Sequence, residues 1–304
     1  MLIDGNAILH RAYHAMPALT SKDGTPINAV YGFVSMLLRI ITDLKPTHIV
    51  VAWDTAKPTF RHTEYSNYQA QRPKGDSELI VQFDIAYKVL DAMQIPKYFL
   101  EGFEADDVIG TLAYQVASRH SGGRRPIESI DIVTGDRDIL QLVDDDKHIF
   151  VYMPTKGISE GKLYKEQDVV ERMGVKPNQI IDFKALVGDQ SDNYPGVAGV
   201  GPKTAIDLLK TYGTLEQIYK NLNDIKPSIA KKLAQGAEPA GISQRLATIV
   251  KDVPVTFKLI EAEKWDIAGK KVLDLFAQIG FKTLSDRVVK VGAEIAKSKQ
   301  MNLV

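Results

Sequence analysis

Short apolar runs alternate with longer amphipathic stretches through the first half of the chain. The runs are three to six residues long and β-prone, as is typical of buried strands, and they lie at Met1–Ile3, His48–Trp53, Ile130–Thr134 and Phe150–Met153. Between them, apolar residues repeat with helical spacing at Val30–Asp43, Leu79–Met93 and Glu104–His120. This alternation predicts an α/β fold with a mostly parallel sheet and flanking helices.

The pattern changes after about Glu166, where helical segments with short Gly and Pro breaks replace the strand-like runs. These segments are 166–173, 177–187, 202–211, 214–221, 227–235, 240–251 and 269–279. One stretch fits neither type: Ser66–Ser77 has no apolar periodicity, so we expect a long, polar and mobile connection. We therefore predict an α/β domain over 1–185, an all-helical domain over 186–290 and a tail over 291–304.

Acidic residues follow the ends of three predicted strands. Asp4 follows the first run, Asp54 the second, and Asp136 and Asp138 the third. In open parallel sheets the ligand crevice lies beyond the carboxyl ends of the strands. The sequence therefore predicts that three separate segments bring carboxylates to one edge of the sheet.

Two further acidic groups lie at predicted helix ends. EADD at 104–107 opens one helix, and Asp189 and Asp192 lie in the turn LVGDQSDNYPGV. Taken alone, each has an ordinary explanation, since acids suit the first turn of a helix and aspartates stabilise turns. Together, converging carboxylates would raise one another's pKa unless cations neutralised them, and Mg²⁺ or Mn²⁺ prefers such oxygen ligands. Two such ions about 3.5–4 Å apart would form the arrangement that hydrolyses phosphodiester bonds.

The composition and residue spacing exclude several other kinds of functional site. The chain has no cysteine, which excludes disulfides, thiolate nucleophiles, iron–sulfur clusters and Cys-ligated zinc. The six histidines lack zinc-site spacing, and no GxxxxGK[ST] phosphate loop is present. The N-terminus lacks a basic signal region and the longest apolar stretch is interrupted by Arg39 and Asp43, so we expect a soluble, cytoplasmic protein.

A glycine-rich turn precedes one of the later helices. GVAGVGPKT at 196–204 has glycines at 196, 199 and 201, with Pro202 in the first helical turn. Helices on both sides predict a helix–hairpin–helix that binds a phosphate backbone through amides, although an ordinary interhelical turn remains an alternative. Residues 201–232 carry six lysines against three acids, which supports a phosphate contact.

The polar stretch 55–75 also carries a net positive charge, with Tyr65 and Tyr68 interleaved. Basic and aromatic residues on a mobile loop suit single-stranded nucleic acid. A solvated charged loop is the alternative.

The order of these motifs resembles a known family. IDGNAILHRAYHA, FRHTEYSNYQAQR, FEADDVIGTLA, VTGDRDILQLV and GDQSDNYPGVAGVGPKTA look like the 5′-nuclease domain of bacterial DNA polymerase I, a flap endonuclease and 5′–3′ exonuclease. The resemblance runs from residue 2 to about 288. It implies a PIN-like core, a helical arch over about 60–100 and a helix–hairpin–helix domain. It also implies two Mg²⁺ ions, for which Mn²⁺ can substitute, and allows a K⁺ ion at the hairpin.

The resemblance assigns roles to individual residues. Nine acids match the family's two metal sites: Asp4, Asp54, Glu104 and Asp106 the first, Asp136, Asp138, Asp189 and Asp192 the second, with Asp107 completing the cluster. The implied DNA contacts are Arg61, His62, Tyr68, Gly196, Gly199, Gly201, Lys203 and Thr204. Arg72 matches an arch arginine that helps hold the scissile phosphate. The family usually has lysine where this chain has Gln69, and we hypothesise that Lys74 substitutes for it.

We therefore predict a structure-specific, Mg²⁺-dependent 5′ nuclease that acts on DNA flaps, nicks and 5′ ends in primer removal and repair. We expect a monomer, either freestanding or part of a longer polymerase. The alternatives are a PIN-type ribonuclease and a catalytically silent DNA-binding module, for which Gln69 is the only support. The equal numbers of basic and acidic residues, 38 each, fit this view, because assigning nine acids to the metal pocket leaves the rest of the chain basic.

Overall fold

The computed structural model describes residues 1–72, 75–118, 127–156 and 160–301. The predicted site residue Lys74 and the last two residues of the helix predicted to end at His120 lie outside these ranges.

Six strands form one sheet in the order β3-β2-β1-β4-β5-β6. The strands are β1 (Leu2–Asp4), β2 (Val50–Trp53), β3 (Lys97–Phe99), β4 (Ile130–Val133), β5 (Ile149–Lys156) and β6 (Glu160–Tyr164). The first five run parallel, and β6 pairs antiparallel with β5. The predicted mostly parallel sheet is confirmed, with β1 between β2 and β4.

Helices cover the sheet and make up most of the second half of the chain. They are α1 (Gly5–Ala15), α2 (Asn28–Leu44), α3 (Phe60–Glu64), α4 (Ser77–Ala92), α5 (Ala105–Ala117), α6 (Glu166–Met173), α7 (Ile180–Val187), α8 (Pro202–Tyr212), α9 (Leu215–Lys220), α10 (Pro227–Gln235), α11 (Ala237–Ala247), α12 (Leu259–Ala262), α13 (Lys270–Ile279) and α14 (Lys282–Met301). Short 3₁₀ turns lie at Asp138–Leu142, Pro177–Gln179 and Leu222–Asp224. No helix in the described ranges is both long and apolar enough to span a bilayer.

Two apolar cores lie on opposite faces of the sheet, and both combine residues from the two halves of the chain. On one face, α2 packs beside α1, α4 and α14, and α13 packs against α4 and α14, with Phe276 and Phe281 fully buried. On the other face, α5 packs with the helices that follow residue 180. The helices after residue 259 thus return to the α/β half, while a domain boundary near 185 stays a prediction.

Several local predictions were wrong at their ends or missed an element. The helix predicted over 240–251 ends at Ala247, because the next residues bond to α5 instead of continuing the helix. The sequence reading missed α1, α3, α12, α14, β3 and β6. Residues 291–301 continue α14, and the supposedly mobile stretch from Ser66 makes turns that bury Tyr68 at 3% exposure.

Candidate active site

The first two predicted ligands are held at the carboxyl edge of the sheet by backbone capping. Asp4 ends β1 and caps α1, because its Oδ1 accepts a hydrogen bond from Ala7 N at 2.9 Å. Its Oδ2 accepts from the Thr134 hydroxyl at 2.8 Å, which ties the end of β1 to the end of β4. Asp54 follows β2, and its Oδ1 accepts from Ala105 N at 2.7 Å.

The first turn of α5 brings Glu104 and Asp106 to the same pocket, which the structure shows also contains Asp4, Asp54, Asp136, Asp138 and Asp192. Glu104 Oε2 accepts from the Tyr68 hydroxyl at 3.2 Å. The pocket has a volume of about 320 Å³. Strand-end carboxylates and the acidic turn of α5 therefore meet as predicted.

The acids of this pocket are buried close to one another, and their pKa values are raised. Burial, followed by repulsion from Asp54 and Asp136, raises the pKa of Asp4 to about 7. Burial also raises the pKa of Glu104 to about 7, although Arg61 opposes the shift. The pKa of Asp106 is raised well above its ordinary value by burial and by neighbouring acids. This set of oxygen donors fits hard divalent cations, which would stabilise the charged forms.

Three of the predicted second-site ligands form a compact group. Asp138, Asp189 and Asp192 each offer an oxygen atom, and these atoms lie within 4.8 Å of one another. Lys184, which the sequence reading missed, forms ion pairs with both Asp138 and Asp189. The signal in the sequence was a single lysine within the apolar helix IIDFKALV, five residues before Asp189.

Asp107 and Arg61 form a buried ion pair beside the pocket. Both oxygens of Asp107 accept from the Arg61 guanidinium, at 2.7 and 2.8 Å, and both side chains are buried. Both oxygens of Asp107 are occupied by Arg61 and it does not line the pocket, so metal binding by Asp107 stays a prediction. The side chain of Arg61 is only 3% exposed, although it lines part of the pocket, and a DNA contact by Arg61 stays a prediction.

The segment from Asn67 to Arg72 lies across the pocket. Arg72 Nη2 lies 2.7 Å from Asp192 Oδ1, and Gln69 Nε2 donates to the same oxygen at 3.2 Å. Tyr68 is buried against Glu104, which makes it a wall of the pocket in this conformation and leaves little of its ring for a DNA contact.

His62 is half-buried beside this segment. Its Nδ1 accepts from Thr59 N at 3.2 Å, and its ring packs edge-to-face with Tyr68 at 5.2 Å. Burial, followed by the positive charges of Arg72 and Arg61, lowers the pKa of His62. A DNA contact by His62 stays a prediction.

The glycine hairpin connects α7 to α8 as predicted. Gly196 has a φ of +61°, and a Cβ atom there would lie 2.2 Å from Gly188 N. Gly201 caps α8, and Lys203 and Thr204 follow in its first turn. Their contacts with DNA phosphates stay predictions.

A basic side chain from α10 reaches the same hairpin. Lys232 Nζ donates to the Gly199 carbonyl at 2.9 Å. A K⁺ ion at the hairpin stays a prediction.

Comparisons with known proteins agree with this fold, and the family models that match the chain are those of a nuclease. A family model described as "5'-3' exonuclease, N-terminal resolvase-like domain" matches residues 1–174, and "5'-3' exonuclease, C-terminal SAM fold" matches 175–268. The chain therefore belongs to the 5′–3′ exonuclease family.

Curated relatives cover nearly all of the chain. DNA polymerase I of Caldicellulosiruptor bescii is 41% identical over 288 residues, which are 95% of this chain and 33% of that protein. DNA polymerase I of Bacillus subtilis is 37% identical over 302 residues, 99% of this chain and 33% of that protein. The chain thus spans about a third of the length of these relatives.

Solved structures share the fold at low sequence identity. A T5 5′-exonuclease with bound divalent zinc ions has a TM-score of 0.64 and 20% identity, with 98% of each chain covered. The catalytic core of Rad2 in complex with DNA substrate has a TM-score of 0.58 and 16% identity, and covers 97% of this chain and 91% of that one. At this identity the likeness supports the fold alone.

Proposed function

We propose that this 5′ nuclease uses two divalent ions to hydrolyse DNA phosphodiester bonds at 5′ flaps, nicks and 5′ ends, in primer removal and repair. The observation that carries the proposal is the pocket in which strand-end acids and the first turn of α5 converge with raised pKa values. Carboxylates that repel one another at a sheet edge destabilise the metal-free fold, but they are suitable ligands for Mg²⁺.

The residues divide between two proposed ion sites. Asp4, Asp54, Glu104 and Asp106 would hold one ion, and Asp136, Asp138, Asp189 and Asp192 the other. When bound, the ions would supply positive charge at the scissile phosphate and lower the pKa of an attacking water. Mn²⁺ has the same ligand preference and is expected to replace Mg²⁺.

The chain's own basic groups would orient the DNA. Arg72 is 54% exposed and lies beside Asp192, so its guanidinium can reach a phosphate placed at the pocket. The glycine hairpin and the start of α8 would hold a duplex by its phosphates, which gives selectivity for structure and not for sequence. We propose a monomer that works beside a polymerase domain or protein, as the names of the curated relatives suggest.

Replacing Asp136 and Asp138 together by Asn tests the metal assignment. We expect the double variant to lose cleavage of a labelled 5′-flap DNA while keeping its affinity for that DNA, because the hairpin is unchanged. Asp144→Asn is a matched control, because Asp144 lies in an exposed turn paired with Lys147. Full cleavage by the double variant would contradict the assignment.

The substrate is tested with flap DNA, its RNA equivalent and a blunt duplex, each in Mg²⁺ and in EDTA. Flap-specific DNA cleavage that EDTA abolishes supports the proposal. A preference for RNA would indicate a PIN-type ribonuclease, and binding without cleavage would indicate a DNA-binding module.

The lysine that the family usually has beside Tyr68 is Gln69 here, and we propose that Lys74 supplies the missing charge. Lys74→Ala should then lower the single-turnover cleavage rate. An unchanged rate would overturn this substitution, without affecting the metal assignment.

A further inference from the structure

The Arg61 guanidinium is bound by groups from two separate parts of the chain. Its Nη1 and Nη2 donate to the two oxygens of Asp107 on α5, at 2.7 and 2.8 Å. Its Nε donates to the Leu246 carbonyl at 2.9 Å, and its Nη2 also donates to the Thr248 carbonyl at 2.9 Å. A short helix beside the pocket, α3, is thereby fixed both to α5 and to the segment that follows α11.

Asp107 also accepts hydrogen bonds from two backbone N–H groups. Its Oδ1 accepts from Val250 N at 2.9 Å, and its Oδ2 accepts from Glu104 N at 3.1 Å. Asp107 is fully buried. It therefore receives hydrogen bonds from the segment after α11 and from the backbone of a proposed metal ligand.

Arg61 and Asp107 both form hydrogen bonds with the backbone of segment 246–250, which consists of the end of α11 and the residues after it. Besides Arg61 and Asp107, Gln141 bonds to it twice: its Nε2 donates to Ala247 O at 2.9 Å and its Oε1 accepts from Ile249 N at 3.0 Å. Gln141 lies in the 3₁₀ turn that begins at Asp138. Elements that carry ligands of both proposed ion sites are thus bonded to one backbone segment.

We propose that Arg61 and Asp107 are positioning residues, which hold Glu104 in place for metal binding by bonding the first turn of α5 to segment 246–250. The pair acts on Glu104 at two points: Asp107 holds its backbone N–H, and Arg61 Nη1 lies 3.4 Å from its Oε2. Groups that orient metal ligands from behind typically change metal affinity 10–100-fold when they are removed. This inference rests on the proposed nuclease function.

A purely structural ion pair would behave differently. A buried pair can often be replaced as a unit without loss of stability, whereas removing one partner leaves an uncompensated charge. A double substitution therefore separates stability from positioning. Arg61→Met with Asp107→Asn removes both charges and keeps an acceptor at position 107.

A matched control is a second arginine contact between α3 and α11, the two helices that Arg61 joins through the Leu246 carbonyl. Arg245 on α11 pairs with Glu64 on α3 at 3.3 Å, but its side chain is 59% exposed. Arg245→Ala removes an arginine–carboxylate contact between α3 and α11 without touching the pocket. It should leave stability, metal binding and cleavage unchanged.

The experiment measures thermal unfolding, Mn²⁺ binding by calorimetry without DNA, flap-DNA affinity in EDTA and single-turnover cleavage in Mg²⁺. We expect Arg61→Met and Asp107→Asn to unfold at lower temperature and the double variant to recover toward the wild type. All three should bind Mn²⁺ at least tenfold more weakly, while DNA affinity in EDTA changes less than threefold. Arg61→Lys keeps the charge but not the planar fork, and should lose 3–10-fold in Mn²⁺ affinity.

Wild-type Mn²⁺ affinity and cleavage in the folded double variant or in Arg61→Lys would overturn the positioning role. If the double variant does not fold, Arg61→Lys decides, because it keeps the charge balance. Failure of the wild type and of Arg245→Ala to bind Mn²⁺ or to cleave would instead contradict the proposed function.

Discussion

The Nζ atom of Lys184 lies 2.5 Å from Oδ2 of Asp189, inside the group of acids proposed to bind the second metal ion. The same ammonium pairs with Asp138. Lys184 is buried, and its carboxylate neighbours raise its pKa although burial opposes the shift. The Lys184 ammonium thus neutralises part of the negative charge at the proposed second metal site.

Lys184→Met tests whether this ammonium substitutes for metal charge. Removing it leaves Asp138 and Asp189 to repel each other, so the thermal unfolding temperature in EDTA should fall. Mg²⁺ should then restore more stability to the variant than to the wild type, because it supplies the lost charge. Equal Mg²⁺ effects on the two proteins in differential scanning calorimetry would contradict this role.

The raised pKa values predict how stability depends on pH. Asp4, Glu104 and Asp138 have folded-state pKa values of about 7, against ordinary values near 4. Between about pH 4 and 7 the unfolded chain therefore binds fewer protons than the folded protein, so metal-free stability falls as the pH rises through that window. The increase in unfolding temperature caused by Mg²⁺ should be larger at pH 8 than at pH 5.

Asp4→Asn checks that these acids cause the pH effect. The amide keeps an oxygen to cap α1 but removes one charge, so the metal-free protein should gain about 1–2 kcal/mol at pH 8 and little at pH 4. Denaturation in EDTA at the two pH values measures the difference. An equal change at both would show that the charge of Asp4 is not responsible.

Arg72→Ala should slow cleavage without weakening the fold. The side chain is 54% exposed, so its ion pair with Asp192 adds at most about 1 kcal/mol to stability. If Arg72 contacts the scissile phosphate, single-turnover cleavage should fall by about 10²-fold. Arg39→Ala is the control, since Arg39 is 53% exposed and pairs with Asp43 away from the pocket.

Replacement by alanine should cost much more stability at Gly196 than at Gly201. A Cβ atom at Gly196 would overlap the backbone of Gly188, and its φ of +61° disfavours other residues, so Gly196→Ala should cost about 2–4 kcal/mol of unfolding free energy. A Cβ atom at Gly201 meets open space, so Gly201→Ala should change stability by less than about 1 kcal/mol. Chemical denaturation compares them, and equal costs would refute the close approach.

Gln69→Lys should raise the single-turnover rate several-fold at saturating Mg²⁺. Gln69 Nε2 donates to Asp192 at 3.2 Å, so a lysine there would add a cation beside Arg72. Gln69→Ala separates the gain of charge from the loss of the amide. A rate no higher in the lysine variant than in the alanine variant would argue against a role for charge at this position.

The sequence predicted the parts of the site that follow from backbone geometry. Asp4, Asp54 and Asp138 follow successive parallel strands or begin the turn after one, and such positions converge on one sheet edge whatever the packing. The acidic first turn of α5 could also be predicted, because the apolar stripe of the helix indicates where the helix begins.

The pairing of Arg61 with Asp107 could not be predicted in this way. A basic and an acidic residue 46 positions apart give the same pattern whether they face solvent or each other. Their burial depends on how segment 246–250 packs against α5, which is a tertiary contact without a local signal. The packing of α13 against α4 and of α14 against α2 was missed for the same reason.

The position of β1 in the sheet has a consequence for the order in which the protein can fold during synthesis. Leu2 pairs with Val50 on one side and with Ile132 on the other, so β1 gains its second neighbour only after about 130 further residues have been made. The apolar face of α2 is covered in part by α1 and α4, and its cover is completed only once Phe281 and α14 have also emerged. Nascent chains shorter than this expose part of that face, and should depend on chaperones until the last helices close over it.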